Sequence, residues 1–336
     1  LSEIANHIRR GVTSGANDFF YLPLPGEQSK FFESEFDKDA GTLDLRLRDQ
    51  DVIDDFEQQG FDVTDPMFKI EHEYVMSPVN GSVDVDRHSF TYTDDAGTTW
   101  VPNYIIKSPK EIEGLSLSSE IVENVAILTE ESKNNLESGV KNYIEWGEEW
   151  EPNRGRKYPD RPTCSSRSPW YDITGLEPGD VLFPERVWSS YIAPANTNSV
   201  HDNKNLYGMH TEQPSNLCIA MNSATTWMFL EIGARSSLGE GVLDIDVNMA
   251  EDVLIPIPDS NSEVEVSGIN LQGDVFEQMD AEPGENLELQ DVSEDRRQID
   301  DIALKDWVGM DEEMQQEVYE ALLELVGERI ERSESV

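Results

Sequence analysis

Acidic side chains run along the whole of this chain, and any fold it adopts must hold together against their repulsion. There are 69 of them against 25 lysines and arginines in 336 residues, a net charge of −44. They are spread over the length rather than gathered into a tail, and lysine is scarcer than arginine. Hydrophobic residues are only 37%, yet Trp, Phe, Tyr, Leu and Ile recur in patterned segments, which argues for a folded protein rather than a disordered acidic chain. At molar salt the Debye length is about 3 Å, so repulsion that would open such a fold in dilute buffer is screened. The pattern predicts a halophilic archaeal source, and loss of fold on dialysis to low salt. The length allows at least one sizeable core, with two domains a fair division.

Two cysteines, Cys164 and Cys218, stand in no metal spacing, which fits a reducing cytoplasm. No apolar run approaches the ~20 residues of a membrane span, and there is no signal peptide. The chain opens at Leu1 inside a segment patterned as a helix (Leu1, Ile4, Ala5, Ile8) that ends at Gly11, as expected of a piece cut from a longer protein.

The basic residues that do occur are concentrated. Seven fall between Lys141 and Arg186, interleaved with Trp146, Trp150, Trp170, Trp188 and several tyrosines. Guanidinium groups beside flat aromatic faces suit gripping phosphates and reading or stacking bases. Composition equally allows a polar, aromatic-rich loop whose arginines pair with neighbouring glutamates. On the first reading Arg154, Arg156, Lys157, Arg161, Arg167 and Arg186 are candidates for phosphate or guanine contacts. Trp170, Tyr171 and Trp188 are candidates for stacking or groove shape, or else for the core. The turn-permissive stretch Gly11–Leu22 offers Thr13, Ser14 and Asn17 as a second patch, though it lacks the ending of a phosphate loop. Lys107 and Lys110, at the end of a strand-like run from Trp100, could meet phosphate or solvate a turn. In brine counterion release weakens, so a DNA reader must lean on base-edge hydrogen bonds, stacking and shape.

Around this stretch the chain divides as follows. Residues 1–25 end a preceding helix and start the next region. Residues 26–98 read as an acidic insertion or poorly packed subdomain, with short strands at Phe68–Val75 and Ser89–Thr93. Residues 99–258 are the central region, with a helix around Val140, Tyr143 and Ile144 and a polar connector, 189–213, that could be a contact surface. Within it Leu217–Met221 is strand-like, and Ser223 can cap a helix bearing Trp227, Phe229, Leu230 and Ile232. An acidic linker, 259–292, precedes the helical segment 293–336. There Asp311 can cap a helix with Met314, Val318, Leu322, Leu325 and Ile330 on one face.

Taken in order, Gly11–Leu22, Ile105–Glu111, Tyr143–Glu148, Arg167–Ile173 with Leu182–Pro184, Asn222–Asp246 and Leu254–Pro258 resemble a known family. So do Arg296–Asp300, Glu317–Tyr319 and Arg329 in the tail. It is the C-terminal target-recognition region of adenine-specific (N6) DNA methyltransferases of restriction-modification type, TaqI-like or type IIG, with echoes of type I specificity subunits. The resemblance implies an α+β fold: a β-rich target-recognition domain, with the helical C-terminal segment after it. Its partner is double-stranded DNA from which an adenine is flipped. The family's Asn/Asp/Ser-Pro-Pro-Tyr/Phe signature occurs nowhere in this chain, so the resemblance places catalysis and S-adenosylmethionine in an N-terminal methyltransferase domain or a separate catalytic subunit. The Gly239-Glu240-Gly241 pair reads as a turn rather than a cofactor loop.

Two other classes remain open. A self-contained enzyme could use Glu131-Ser132-Lys133, which resembles the end of a nuclease metal site, but an acidic chain supplies such triples by chance. The five histidines, His7, His72, His88, His201 and His210, form no metal motif, and nothing in the spacing ties Cys164 to His201 or His210 as nucleophile and base. A stand-alone specificity subunit or an acidic interaction module, docking through the Met314–Ile330 helix, is the third class.

Overall fold

The computed structural model describes residues 1, 4–79, 88, 90–106, 124–152, 155–175, 177–234, 241–258, 264–271, 273–285 and 287–334. These form two compact units of mixed α+β character, each built on small antiparallel sheets. Residues 12–106 with 124–177 make one, and residues 1–11 with 178–334 the other. The first is called the inserted unit and the second the flanking unit. No helix among the described residues is long and apolar enough to cross a membrane.

In the inserted unit Phe32–Asp37, Thr42–Leu47 and Phe68–Glu71 form a sheet in that order. Alternation puts Phe32, Leu43, Leu45, Phe68 and Ile70 on its buried face. The helix Gln50–Gln58, capped by Asp49 accepting from the Val52 N–H at 3.0 Å, adds Phe56. The stretch 26–98, expected as an acidic insertion, thus carries packed core, and in its first strand Glu33 and Glu35 alternate with the buried Phe32 and Ser34. The helix Ser138–Glu149, expected around Val140, brings Tyr143, Ile144 and Trp146 to the same core. Its first turn has no cap of its own. The Glu71 carboxylate accepts instead from the N–H groups of Gly139 (2.7 Å) and Val140 (2.9 Å), satisfying donors the helix leaves open. Trp146 lies among Phe19, Phe31, Phe32, Phe56, Phe68, Tyr143, Trp150 and Tyr158, with ring centroids 5.1–6.2 Å away. Two further three-stranded sheets complete the unit, Tyr21–Pro23 with Asn124–Ala126 and Tyr104–Ile105, and Met76–Pro78 with Thr99–Pro102 and Tyr92–Thr93.

The flanking unit is centred on Leu206–His210, paired antiparallel on one side with His7–Arg10 and on the other with Val181–Pro184. The expected N-terminal helix is thus a strand over His7–Arg10; the open edge of Leu206–His210 takes up its backbone groups, and Ile8 points inward. Leu217–Met221, expected as a strand, lies in the helix Pro214–Met221, with proline at its first position. A short run that is apolar on every side fits a buried helix as well as a strand. Ser223 does cap the next helix, Ala224–Gly233, accepting from the Thr226 N–H at 3.3 Å.

Three further expectations change. The connector 189–213 is largely packed, with Ser189, Asn196, Asn198, Asp202 and Asn203 buried and only Thr197, Ser199, Lys204 and Glu212 exposed. The segment 259–292 is not a plain linker. It contains the helix Val275–Met279, closed by a capping box between Asp274 and Glu277, and it buries Ile269, Leu271, Val275, Met279 and Leu287. The terminal helix Glu312–Glu334 starts where expected, with Asp311 accepting from the Met314 N–H at 3.0 Å. Its buried face is rotated, however, to Gln315, Tyr319, Leu322, Val326 and Arg329, and Met314 is exposed. The middle of the chain also holds more helix than a β-rich domain would.

Candidate nucleic-acid interface

In the inserted unit two residues of the expected Arg/Trp patch, Arg161 and Arg167, lie against the other expected patch at Thr13–Gly15. After the short helix Pro162–Ser165 the chain returns beside Thr13–Ala16, and the arginines on either side of that helix grip this loop. Arg161 Nη1 donates to the Gly15 carbonyl at 3.0 Å, Arg167 Nη1 to the Ser14 carbonyl at 2.9 Å, and Arg167 Nη2 to the Thr13 carbonyl. Both guanidiniums also cover rings, Arg161 at 4.7 Å from the centroid of Tyr158 and Arg167 at 5.7 Å from that of Phe20. Gly15, at φ +75°, has no space for a side chain: a Cβ would meet Thr163 Cβ at 2.8 Å. Between these clamps Ser14 is buried, its hydroxyl donating to Asn17 Oδ1, while Thr13 and Asn17 face solvent.

The remaining candidates divide sharply. Arg156 is exposed and its guanidinium makes no ion pair among the described residues; with Lys157 it borders a shallow depression that Glu151, Pro152, Gly155 and Asp160 complete. Lys157 pairs with Glu151 at 3.2 Å and donates to the Glu149 carbonyl at 3.2 Å. Of the two roles expected for Tyr171 its position is that of a core residue, buried and with its hydroxyl donating to the Glu131 carbonyl at 2.7 Å. Trp170 is half-buried against Phe19 and Phe20, its indole N–H donating to Glu148 at 3.2 Å. Trp146 and Trp150 are core as well. Arg154, Lys107 and Lys110 lie outside the described residues.

Arg186 and Trp188 belong to the flanking unit. Arg186–Val187 pairs with Leu243–Asp244 in a two-stranded ribbon, where Arg186 Nε meets Asp244 at 3.1 Å. The Arg186 side chain is more than half exposed, and Trp188 is 54% exposed, a high value for so large an apolar ring. Gly241 turns into the ribbon at φ +69°, and its open side is filled: a Cβ there would meet Ser333 Oγ at 2.9 Å and Trp188 Nε1 at 3.1 Å. Gly239 and Glu240, the rest of the expected turn, lie outside the described residues.

The rival chemistry finds little support. The Cys164 thiol is buried and reaches the Ser14 carbonyl at 3.5 Å; burial raises its pKa against the opposing pull of Arg167 and Arg161, which makes it a poor nucleophile. Lys133 is paired with Glu148 at 2.6 Å. The sequence did miss one juxtaposition: His7 and His210 are register partners, ring centroids 5.8 Å apart, a pairing that only strand register reveals. No group of three or more metal-ligating side chains occurs among the described residues.

Residues 105–294, more than half of the chain, match the family described as type II methyltransferase M.Eco57I, C-terminal domain. No curated protein matches.

Proposed function

The chain belongs to that family of type II methyltransferase C-terminal domains, and from this premise we propose that it reads the DNA sequence for an S-adenosylmethionine-dependent adenine-N6 methyltransferase of restriction-modification type. The reaction itself would be carried by a methyltransferase domain of the same protein or by a separate catalytic subunit. One observation carries the reading beyond the family: on a chain of net charge −44, each unit presents an exposed arginine beside hydrogen-bonding or aromatic groups. In the inserted unit these are Arg156, with Lys157 at the rim of a shallow depression, and, separately, the exposed Thr13 and Asn17 of the clamped loop; in the flanking unit they are Arg186 with Trp188. Such sets suit base-edge and stacking contacts, which survive brine better than diffuse phosphate attraction. The halophilic reading of the composition is part of the proposal, as is a cytoplasmic location.

The test is selection of duplexes from a randomised pool by the purified chain in about 2 M KCl, where the Debye length is only a few ångströms. A single enriched site is expected. Arg156→Ala and Arg186→Ala should each weaken binding to it by about 1–3 kcal/mol if they make base contacts. No enrichment by the folded chain, or full affinity in both variants, would overturn the reading.

A further inference from the structure

The terminal helix Glu312–Glu334 directs Arg329 from its buried face into the flanking unit. Its Nε donates to Glu231 Oε2 at 2.8 Å and its Nη2 to Glu231 Oε1 at 2.7 Å, a two-point pair with both side chains nearly inaccessible. The rest of the guanidinium is spent on backbone: Nη1 donates to the Gly241 carbonyl and Nη2 to the Trp188 carbonyl. Tyr191 donates its hydroxyl to Glu231 and accepts from Arg329 Nη2 at 3.3 Å. The two carbonyls sit at the matching ends of the ribbon, since Trp188 follows Arg186–Val187 and Gly241 leads into Leu243–Asp244. The nitrogen edge of the Trp188 indole packs against the Gly241 turn, close to Ser333 of the same helix. Trp188 is nonetheless 54% exposed, although Trp ordinarily gains by burial. An exposed indole pinned by its edge beside an exposed arginine is organised for a flat partner such as a nucleobase.

We propose that Arg329 is a positioning residue for DNA recognition: through the Trp188 and Gly241 carbonyls it sets the orientation of the Trp188 ring. The terminal helix is thereby part of the reading element and not only of the core. This rests on the DNA-reading function proposed above. The role requires a planar fork that serves one carboxylate and two carbonyls at once. A lysine ammonium would keep the charge opposite Glu231, but its three donors radiate from a single point.

The experiment compares the parent chain with Trp188→Ala, Arg329→Lys and the double variant, using the duplex enriched in the selection and the same high salt. Circular dichroism establishes that each is folded. Trp188→Ala should lower affinity about five- to hundredfold, the range for loss of one stacked base. Arg329→Lys should lower it comparably, and the double variant should bind no more weakly than Trp188→Ala alone, because both changes remove the same interaction. If Trp188→Ala binds like the parent, the assignment of the ribbon as a DNA contact fails and the inference with it. If Trp188→Ala weakens binding but folded Arg329→Lys binds normally, or its loss simply adds to that of Trp188→Ala, the inference alone fails. Should Arg329→Lys not fold, Tyr191→Phe replaces it in the same cycle with the same two readings, since it removes only the hydroxyl that joins Glu231 to Arg329.

Discussion

Arg167 is where a structural and a DNA-contacting role separate most cleanly. Replacing it with methionine keeps the aliphatic stem over Phe20 and removes the guanidinium that holds the Thr13 and Ser14 carbonyls. Hydrogen bonds from a charged donor are worth about 1.5–3 kcal/mol each, and the lower end applies to a half-buried group, so two such bonds give about 3 kcal/mol. For a protein of this size that corresponds to a fall in melting temperature of roughly 4 °C. Denaturant titration by circular dichroism in about 2 M KCl, with the slope unchanged, measures the loss. Arg156→Met is the control: its guanidinium makes no ion pair among the described residues, so stability should stay within about 0.5 kcal/mol. DNA binding, measured well below either transition, should fall for Arg156→Met. An unchanged midpoint in Arg167→Met together with lost DNA affinity would refute the clamp and return Arg167 to the list of direct contacts.

Three other perturbations have expected outcomes. The Asp202 carboxyl is buried, 4% exposed, and Oδ2 has no hydrogen-bond partner among the described residues; burial pushes its pKa up to about 7. The folded state therefore holds this proton where the unfolded chain has lost it, so the stability it contributes is complete below about pH 4 and lost as pH rises through 7. Asp202→Asn should remove that dependence, its advantage over the parent growing between about pH 4 and 7 to at most about 4 kcal/mol; identical pH profiles in denaturant titrations would contradict this. Gly147→Ala places a Cβ against the edge of the Phe19 ring, 2.8 Å from Cδ2, and Phe19 is enclosed by Tyr143, Trp146, Tyr158 and Trp170. Overpacking of this kind should cost about 1–3 kcal/mol, and a melting temperature equal to the parent's would show that the ring has room to move. In the flanking unit Arg296 and Asp300, both inaccessible, pair at 2.8 Å, with the guanidinium 4.5 Å from the centroid of Trp227. Arg296→Met should cost about 3–5 kcal/mol by leaving a buried carboxylate unpaired, and Arg296→Met/Asp300→Leu markedly less; equal losses would mean that the pairing is not what matters.

The sequence revealed the parts of the fold set by local chemistry. Ser223 and Asp311 announce their helices because a cap is written in one residue and its spacing, and Tyr143 and Trp146 announce theirs by period. What it could not reveal depends on distant partners. His7–Arg10 is a strand only because Leu206–His210 offers an edge, and the acids of 26–98 look like an insertion until Leu43, Leu45, Phe68 and Ile70 are seen on one face. The apolar pattern of the terminal helix points to the wrong face because Gln315 and Arg329, polar residues, lie on its buried side. The candidate site shows the same division. Clustering of Arg and Trp between 141 and 188 is visible in sequence, but not that Trp146, Trp150 and Tyr171 are core, or that Arg161 and Arg167 are engaged by carbonyls some 150 residues away in the chain.

Where the arginines go has a consequence for how such a protein can bind DNA. Arg46 pairs with Glu35 and Asp65, Arg10 with Glu185, Arg297 with Asp301, Arg296 with Asp300 and Arg329 with Glu231. Arg161 and Arg167 are committed to backbone carbonyls. With only 25 cations to 69 acids, most of the described arginines serve the fold, and in the proposed interface Arg156 and the exposed, singly paired Arg186 are the ones placed to meet phosphate. Each phosphate neutralised contributes about −0.9 to the slope of log K against log salt, so two contacts give a slope of roughly −2. A reader with a broad basic track of six or more contacts would give about −5 or steeper. Binding of the selected duplex, followed from about 0.5 to 2 M KCl, distinguishes the two. A shallow slope is expected, because in a chain this acidic recognition has to come from a few directed contacts; a steep one would mean that the phosphate-binding surface lies elsewhere than at Arg156 and the Arg186–Trp188 ribbon.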